Sequence, residues 1–364
     1  MKLLPATIML FCNVLLVMCG QSPQMAGILT VTALLALLAI PGRQWLYLFE
    51  HTALSFIILF LFITGWQLIG WPTNKHVPFS VIGFGVSWVW VGWFCMAAFY
   101  LALSTPNMQL RRDDIERHVL WIATIIGIMG LIQYYIGAGG FYNLIPYYQQ
   151  FFGTFGYINN AASFFFLAAA LALHRSWRNL PLVILFAWIV HVCECRALLP
   201  CFLALLLAKS INRRVWWGFI PLIGIAAFWR IDSIMQDRWF ESEANIRLWL
   251  HYPLFGTGPF GHFKLAPAFA PAFIKPLLNI QPNTHCDLIV FLAEYGAIGV
   301  TLLGLWFLIA VRRVVWHSVA GVAVLLTVLH SMMDMPFRNP AVVLMMLVVV
   351  QAGSQGRLRT RVSL

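Results

Sequence analysis

The residues best suited to chemistry lie in one short stretch, NTHCDLIVFLAEYG, at positions 283–296. His285 stands just before an apolar run, and Asp287 and Glu294 follow within that run. An imidazole changes charge near neutral pH, so a histidine can accept a proton from a hydroxyl group during catalysis. His285 is therefore a candidate general base, and the alternative is an interfacial histidine that is bonded to backbone.

The two carboxylates of this stretch are predicted to have different roles. Thr284 and Asp287 have the spacing of a capping box, which predicts a structural role for Asp287 in the first turn of a helix. Glu294 shares a helical face with Asp287 and lies about 10 Å deeper in the apolar segment. A carboxylate at that depth needs a partner or a polar cavity.

Arginines are the second group of candidates, because a guanidinium pairs with phosphate oxygens and stays charged. Arg196 follows Glu194 in CECRALLP, at the outer end of a predicted span, where a neutralising interfacial pair is the alternative. Arg238 and Arg247 lie on a predicted helix that begins near Asp237. This segment is predicted to be an amphipathic helix in the membrane interface.

The predicted interfacial helix has two faces with different chemistry. Glu241 and Asn245 belong to a polar face, together with Arg238, whereas Ala244 and Leu248 belong to an apolar face. The alternative is a simple membrane-surface helix, with Arg238 and Arg247 solvated or facing lipid headgroups.

Two glycine-containing segments could bring backbone close to a ligand. In GTFGYINNAA, Asn159 or the following Asn160 is predicted to cap a helix, although the surrounding aromatic residues also suit an interfacial belt. FGTGPFGHF contains Gly256 and Gly258, and such a turn is weak evidence for phosphate binding by itself.

Composition places these groups in an integral membrane protein. Hydrophobic residues make up 61% of the chain and charged residues 10%, and the mean hydropathy is +0.83. Soluble domains carry about 25% charged residues. We predict an all-α, polytopic fold with about twelve transmembrane helices, since a span needs about 20 apolar residues. Their predicted ranges are 4–20, 25–41, 51–71, 79–103, 118–140, 159–173, 180–193, 197–208, 215–229, 287–311, 315–333 and 340–352.

The distribution of lysine and arginine predicts the orientation. With the N-terminus inside, most of the 23 basic residues lie in cytoplasmic loops and tails. The first nine spans then occupy 1–229, a large outer loop occupies 230–286, and the last three spans and a short cytoplasmic tail occupy 287–364. The net charge of +11 is thus an orientation signal, and no basic run predicts nucleic-acid binding.

The seven cysteines predict no metal or redox site, because there is no Cys-x-x-Cys motif. A disulfide between Cys286 and either Cys193 or Cys195 is compatible with the predicted topology.

Four motifs, in order, together resemble a known family. They are GTFGYINNAASFF, CRALLPCFLALLLA, RWFESEANIRLWLHYPLFGTGPFGHF and THCDLIVFLAEYGAIG. The chain resembles the O-antigen ligase and polymerase superfamily, whose members are membrane glycosyltransferases that take sugars from undecaprenyl diphosphate. Cys195 replaces a serine of the family pattern, and Cys286 replaces the asparagine after the histidine. Ser242 stands where the family often has tryptophan.

The resemblance implies a GT-C-like enzyme of the bacterial inner membrane with a periplasmic site, needing neither metal nor cofactor and inverting the anomeric carbon. It implies His285 as the base, and Arg238 and Arg196 as ligands of the donor diphosphate, with Arg247 a weaker third. The implied supporting residues are Glu294, Asp287, Asn159, Gly256 and Gly258. The implied partners are a glycan on undecaprenyl diphosphate, a lipid A-core or polysaccharide acceptor, and membrane lipids.

Several functions stay open within and outside the family. Lipid A-core ligase, repeat-unit polymerase and protein O-oligosaccharyltransferase are not separated by the motifs, although the short tail after the last span favours a glycan acceptor. A polysaccharide or lipid transporter is the alternative of a different class. A transporter would favour paired charges near the midplane or a repeat, and neither is visible.

Overall fold

A computed structural model of the chain describes residues 56, 58–63, 93, 97, 112–136, 155, 158–195, 197–210, 232–259, 261–270 and 285–354. This part of the chain is helical and contains no β-strand. Its α-helices are α1 (Arg112–Ile136), α2 (Ile158–Arg175), α3 (Leu180–Val192), α4 (Leu199–Ser210), α5 (Asp232–His251), α6 (Gly261–Phe269), α7 (Asp287–Val311), α8 (Val319–Ser331) and α9 (Pro340–Ser354). Short 3-10 helices cover Trp177–Asn179 and Pro336–Arg338.

Seven of the predicted spans coincide with described helices, which confirms the helical class over those ranges. Within the described residues, two segments are long and apolar enough to cross a membrane. They are Asp113–Tyr135 in α1 and Asp287–Val311 in α7, with mean hydropathies of 1.6 and 2.0. The spans predicted at 4–20, 25–41 and 215–229 lie outside the described residues, as do most of 51–71 and 79–103. The count of twelve spans therefore stays a prediction.

Helix α2 is the core of the described bundle. Every residue from 161 to 173 is buried, and the sequence there consists of alanine, phenylalanine and leucine with one serine. Small residues let neighbouring helices approach closely, and α3, α8, α9 and α4 all pack against α2.

One end of the bundle is marked by basic residues, and we call it the basic end. The Arg175 guanidinium at the end of α2 pairs with Glu116 near the start of α1, at 2.7 Å between Nη1 and Oε2. Lys209 at the end of α4 donates to the His174 carbonyl at 3.1 Å. Short connections make α2, α3 and α4 run alternately up and down. The end of α2, the start of α3 and the end of α4 therefore lie at the same end of the bundle.

The opposite end holds the polar residues of interest, and we call it the site end. Cys195, just after α3, lies against His330 in the last turn of α8, with Sγ 3.9 Å from Nε2. Helix α9 and the first residue of α7 adjoin this end through the 3-10 helix Pro336–Arg338, whose Phe337 N–H bonds to Asp287.

Helix α7 is broken at Gly296, which has a φ of +64° inside an otherwise helical segment. The break removes the usual bonds from the N–H groups of Ala297 and Ile298 to carbonyls four residues earlier. Those two N–H groups donate instead to the carbonyls of Pro253 and Leu254, at 2.9 and 3.1 Å.

The loop 252–258 also provides hydrogen-bond donors for the carbonyls that lose their partners within α7 at the break. The N–H groups of Thr257 and Gly258 donate to the carbonyls of Ala293 and Glu294, at 2.9 and 2.8 Å. The exchange is thus complete at both sides of the break, as backbone within an apolar environment requires. The loop that follows α5 is thereby fixed to α7 just below the site end.

Candidate functional site

His285 lies two residues before α7, outside its hydrogen-bonded body, as predicted. Its side chain is 23% exposed, but its Nδ1 is buried and lies 3.6 Å from Oδ1 of Asp334. The exposed part of the ring therefore lies away from Nδ1. A carboxylate beside Nδ1 favours the tautomer whose Nε2 can accept a proton.

Asp334 is buried between two histidines. Its Oδ1 accepts a hydrogen bond from the Met335 N–H at 2.8 Å, and its Oδ2 lies 3.9 Å from Nε2 of His330. Burial opposes the negative charge, but the neighbouring His285 and His330 outweigh it, together with the Met335 N–H. The pKa of Asp334 therefore lies below its ordinary value of 3.8, and the carboxylate is ionised at neutral pH.

Asp287 does not form the predicted capping box. The residue before α7 is Cys286, so Asp287 is the first helical residue rather than the third, and Cys286 makes no side-chain capping bond. The buried Asp287 carboxylate instead accepts a hydrogen bond from the Phe337 N–H at 2.7 Å. This contact is made with backbone, but the partner lies 50 residues away in the sequence rather than in the predicted capping box.

Glu294 is buried and bonded to two basic side chains. Its Oε1 lies 2.5 Å from Nδ1 of His262 and 3.0 Å from Nη2 of Arg338. Nη1 of Arg338 lies 3.2 Å from Nε2 of His262, which closes a three-membered cluster. Since arginine only donates, His262 must accept at Nε2 and carry its proton on Nδ1, where it donates to Glu294.

His262 is fully buried within this cluster. Burial lowers its pKa from the ordinary value of 6.5; the Glu294 carboxylate opposes the shift, and the Arg338 charge adds to it. His262 is therefore neutral at physiological pH, so that the cluster contains one positive and one negative charge.

The structure describes the predicted arginine ligands only in part. Arg247 lies on an exposed face of α5 and pairs with Glu243 one turn away, at 2.5 Å between Nη2 and Oε1. Arg238 belongs to α5, but its side chain lies outside the described residues, as does all of Arg196. Of the three arginines, only Arg247 has a described side chain, and its described contact is with Glu243 rather than with the cluster around Glu294.

The predicted division of α5 into a polar and an apolar face is wrong. Glu241 and Asn245 are buried on the same side as Ala244 and Leu248, because these positions face α7 and α6. Leu248 packs with Ala266 and Ala293 in a small apolar core. Helix α5 is therefore docked on protein along this side over its described residues.

The remaining predicted residues have local structural contacts. Helix α2 begins at Ile158, which places Asn159 within its first turn rather than at the cap that was predicted. Gly256 and Gly258 both have positive φ, at 68° and 86°, and the Gly258 N–H bonds to α7. The close backbone approach at Gly256 is to the Glu294 carbonyl and to Gly296.

The described cysteines, Cys193, Cys195, Cys201 and Cys286, are free thiols, so neither of the disulfides considered for Cys286 is present. Burial raises the pKa of the Cys286 thiol, which disfavours the thiolate that a nucleophile would need. No group of side chains that could hold a metal ion occurs among the described residues.

Sequence reasoning left His262 without a role and did not connect Asp334 to His285. Two signals pointed to these partners. A deep carboxylate such as Glu294 requires a basic partner, and the segment DMPFRNP places an aspartate and an arginine between two apolar helices.

Comparison with known proteins does not assign the chain to a family. No protein-family model matches the chain, and no curated protein matches it. The resemblance to the O-antigen ligase superfamily therefore depends on the sequence motifs alone.

Proposed function

We propose that the chain is a membrane glycosyltransferase of the O-antigen ligase type. It would transfer a glycan from undecaprenyl diphosphate to an acceptor hydroxyl, either on lipid A-core or on a polysaccharide. The observation that carries the proposal is the placement of the Asp334 carboxylate beside Nδ1 of the partly exposed His285. This pair gives the motif histidine the environment of a general base.

The proposed reaction needs one base and one site for the leaving group. Nε2 of His285 takes the proton of the acceptor hydroxyl while the hydroxyl oxygen bonds to the anomeric carbon. The bond from that carbon to the diphosphate oxygen breaks, and the diphosphate leaves with the electron pair. Asp334 stabilises the imidazolium that forms, without itself taking the proton. The separation of 3.6 Å suits a site that tightens when substrate binds.

Arginine ligands would stabilise the charge on the departing diphosphate. Arg238 is our first candidate, since it belongs to the motif that resembles the family and lies on α5, which packs against α7. Arg196 is the second, because Cys195 beside it contacts His330 at the site end. Arg247 is the third, and it would have to leave its pair with Glu243.

The proposed placement puts the chain in the bacterial inner membrane with about twelve spans. The basic end would face the cytoplasm, following the positive-inside rule, and the site end would face the periplasm. The region from Asp232 to Phe269 would then belong to the large periplasmic loop.

The decisive experiment compares His285→Ala with His118→Ala in a strain that lacks the native gene. His118 is exposed on α1 near the basic end, so its replacement is a matched control. We expect His285→Ala to lose at least about a thousandfold in transfer rate, in the range expected when a general base is removed. The lipid-linked donor should accumulate and still bind. Normal glycan attachment in His285→Ala would contradict the proposal.

The same strain distinguishes the acceptors and the alternative class. Loss of all attached polymer with accumulation of lipid-linked polymer indicates a ligase, whereas single attached repeats indicate a polymerase. Intact lipopolysaccharide with unglycosylated protein indicates a protein transferase. A transporter instead predicts that donor accumulates only on the cytoplasmic side, and that purified protein transfers no glycan.

A further inference from the structure

Two carboxylates on one face of α7 hold the same short segment. Asp287 accepts from the Phe337 N–H, and Glu294 binds the Arg338 side chain, so consecutive residues of the 3-10 helix are bound two helical turns apart on α7. The segment held in this way begins near Asp334, which faces His285. Contacts made by residues 337 and 338 therefore hold the segment that directly follows Asp334.

The Arg338 contacts require the planar fork of an arginine. Nη2 reaches Glu294 at 3.0 Å, and Nη1 reaches His262 at 3.2 Å, so the two nitrogens bind two different helices. A lysine has one nitrogen and would not place two donors in this fixed arrangement. Because Glu294 and His262 are essentially unexposed, the cluster is shielded from water and counterions.

The cluster also joins the segment to the loop after α5. His262 is the second residue of α6, and the Thr257 and Gly258 N–H groups bind the last turn before the break in α7. Arg338 thus connects the α5–α6 region, which holds Arg238, to the segment that holds Asp334. A displacement of the α5–α6 region would therefore shift the segment that holds Asp334, and the reverse.

We propose that Arg338 is a positioning residue for the transfer reaction, which acts through Glu294 and His262 to hold Asp334 against His285. This inference rests on the proposed function, because it assigns the base to His285. Arg338 affects the reaction by fixing the carboxylate that orients the base, and its described contacts are with protein.

A kinetic test separates positioning from a purely structural role. In Arg338→Gln, we expect the kcat of the folded, purified enzyme to fall about a hundredfold, which a misplacement of about 1 Å can cause. The KM for the lipid-linked donor should change little, since ground-state binding of the donor is preserved. Arg338→Lys should retain part of the activity, because it keeps one bond to the cluster. The control is Arg117→Gln, an exposed arginine on α1 that pairs only with Asp114 among its described contacts.

A double-mutant cycle with Asp334→Asn tests whether Arg338 affects kcat through Asp334. If Arg338 acts through Asp334, then Arg338→Gln should cause little further loss of kcat once Asp334 is replaced. Multiplicative losses, or an unchanged kcat in folded Arg338→Gln, would overturn the inference.

Hydrogen exchange on the full-length protein gives a readout that does not need the reaction. Arg338→Gln and Glu294→Gln should each speed exchange of the amides of Met335, Phe337 and Arg338, whereas Arg117→Gln should not. Unchanged exchange in both variants overturns the inference even if transfer is observed. Absence of transfer by the wild-type protein, with faster exchange in the variants, instead rejects the proposed function.

Discussion

At the scale of single residues, the candidates His285, Asp287 and Glu294 divide into one partly exposed side chain and two buried anchors. His285 remains partly exposed beside Asp334, whereas Asp287 and Glu294 are buried and hold the 3-10 helix. A buried carboxylate is stable only when its charge is paired or hydrogen-bonded. The pair Glu294–Arg338 and the neutral His262 satisfy this condition together.

The neutral His262 predicts a dependence of stability on pH. Its pKa is lowered in the folded protein, so below about 6.5 the unfolded chain binds a proton that the folded chain does not. The free energy of unfolding should therefore decrease as the pH falls from 7 towards 5. Apparent melting temperatures of detergent-purified protein should show this decrease, and His262→Gln should flatten it. His118→Gln, at an exposed site, should keep the wild-type slope; an equal flattening there would count against the assignment.

At the scale of the elements, the break in α7 is what allows the loop 252–258 to reach the site end. Gly296 and Gly256 face each other with positive φ, and a Cβ on either would lie 2.6 Å from the backbone nitrogen of the other. Only glycine fits such a crossing, because any side chain would separate the two backbones.

Replacing these glycines tests the role of the break. Gly296→Ala should destabilise the protein by at least about 1–3 kcal/mol from backbone strain alone, and it should also lower activity by displacing Glu294. Gly304→Ala is the matched control in the same helix, where a Cβ meets no atom within 4 Å. It should be neutral or stabilising by up to about 1 kcal/mol. Thermal stability and yield of both variants provide the measurement, and equal stability would refute a structural role for the break.

At the scale of the whole molecule, the described surface includes an apolar stripe that suits lipid rather than water. On α1, exposed side chains recur at helical spacing, with Trp121 65% exposed, Ile125 52%, Ile128 46% and Ile132 41%. A continuous exposed stripe of this kind is uncommon on soluble proteins and is the usual lipid-facing surface of a membrane helix.

The proposed orientation predicts which end of the bundle is reached from outside the cell membrane. In a variant without native cysteines, Met332→Cys at the site end should react with a membrane-impermeant maleimide in intact spheroplasts. Arg178→Cys at the basic end should react only after the membrane is permeabilised. Both parent residues are exposed in the structure, so access depends on the side of the membrane. The reverse labelling pattern would invert the orientation and exclude a periplasmic site.

The sequence by itself determined the helical class and the approximate positions of the described α-helices other than α6. Helix α6 was not predicted, because the segment around its start was interpreted as a glycine-rich turn. The predicted span 287–311 matches α7 residue for residue, and His285 was correctly placed just before it. Such features depend on hydrophobic periodicity and on length, which are local properties of the chain.

Only the tertiary structure decided which groups face His285, Asp287 and Glu294. Their partners lie in the segment 334–338 and, for Glu294, also at His262, so no local pattern could pair them. The same reason explains the wrong capping box and the wrong division of α5. Glu241 and Asn245 are buried because that side of α5 packs on α6 and α7, which the sequence of α5 alone does not show.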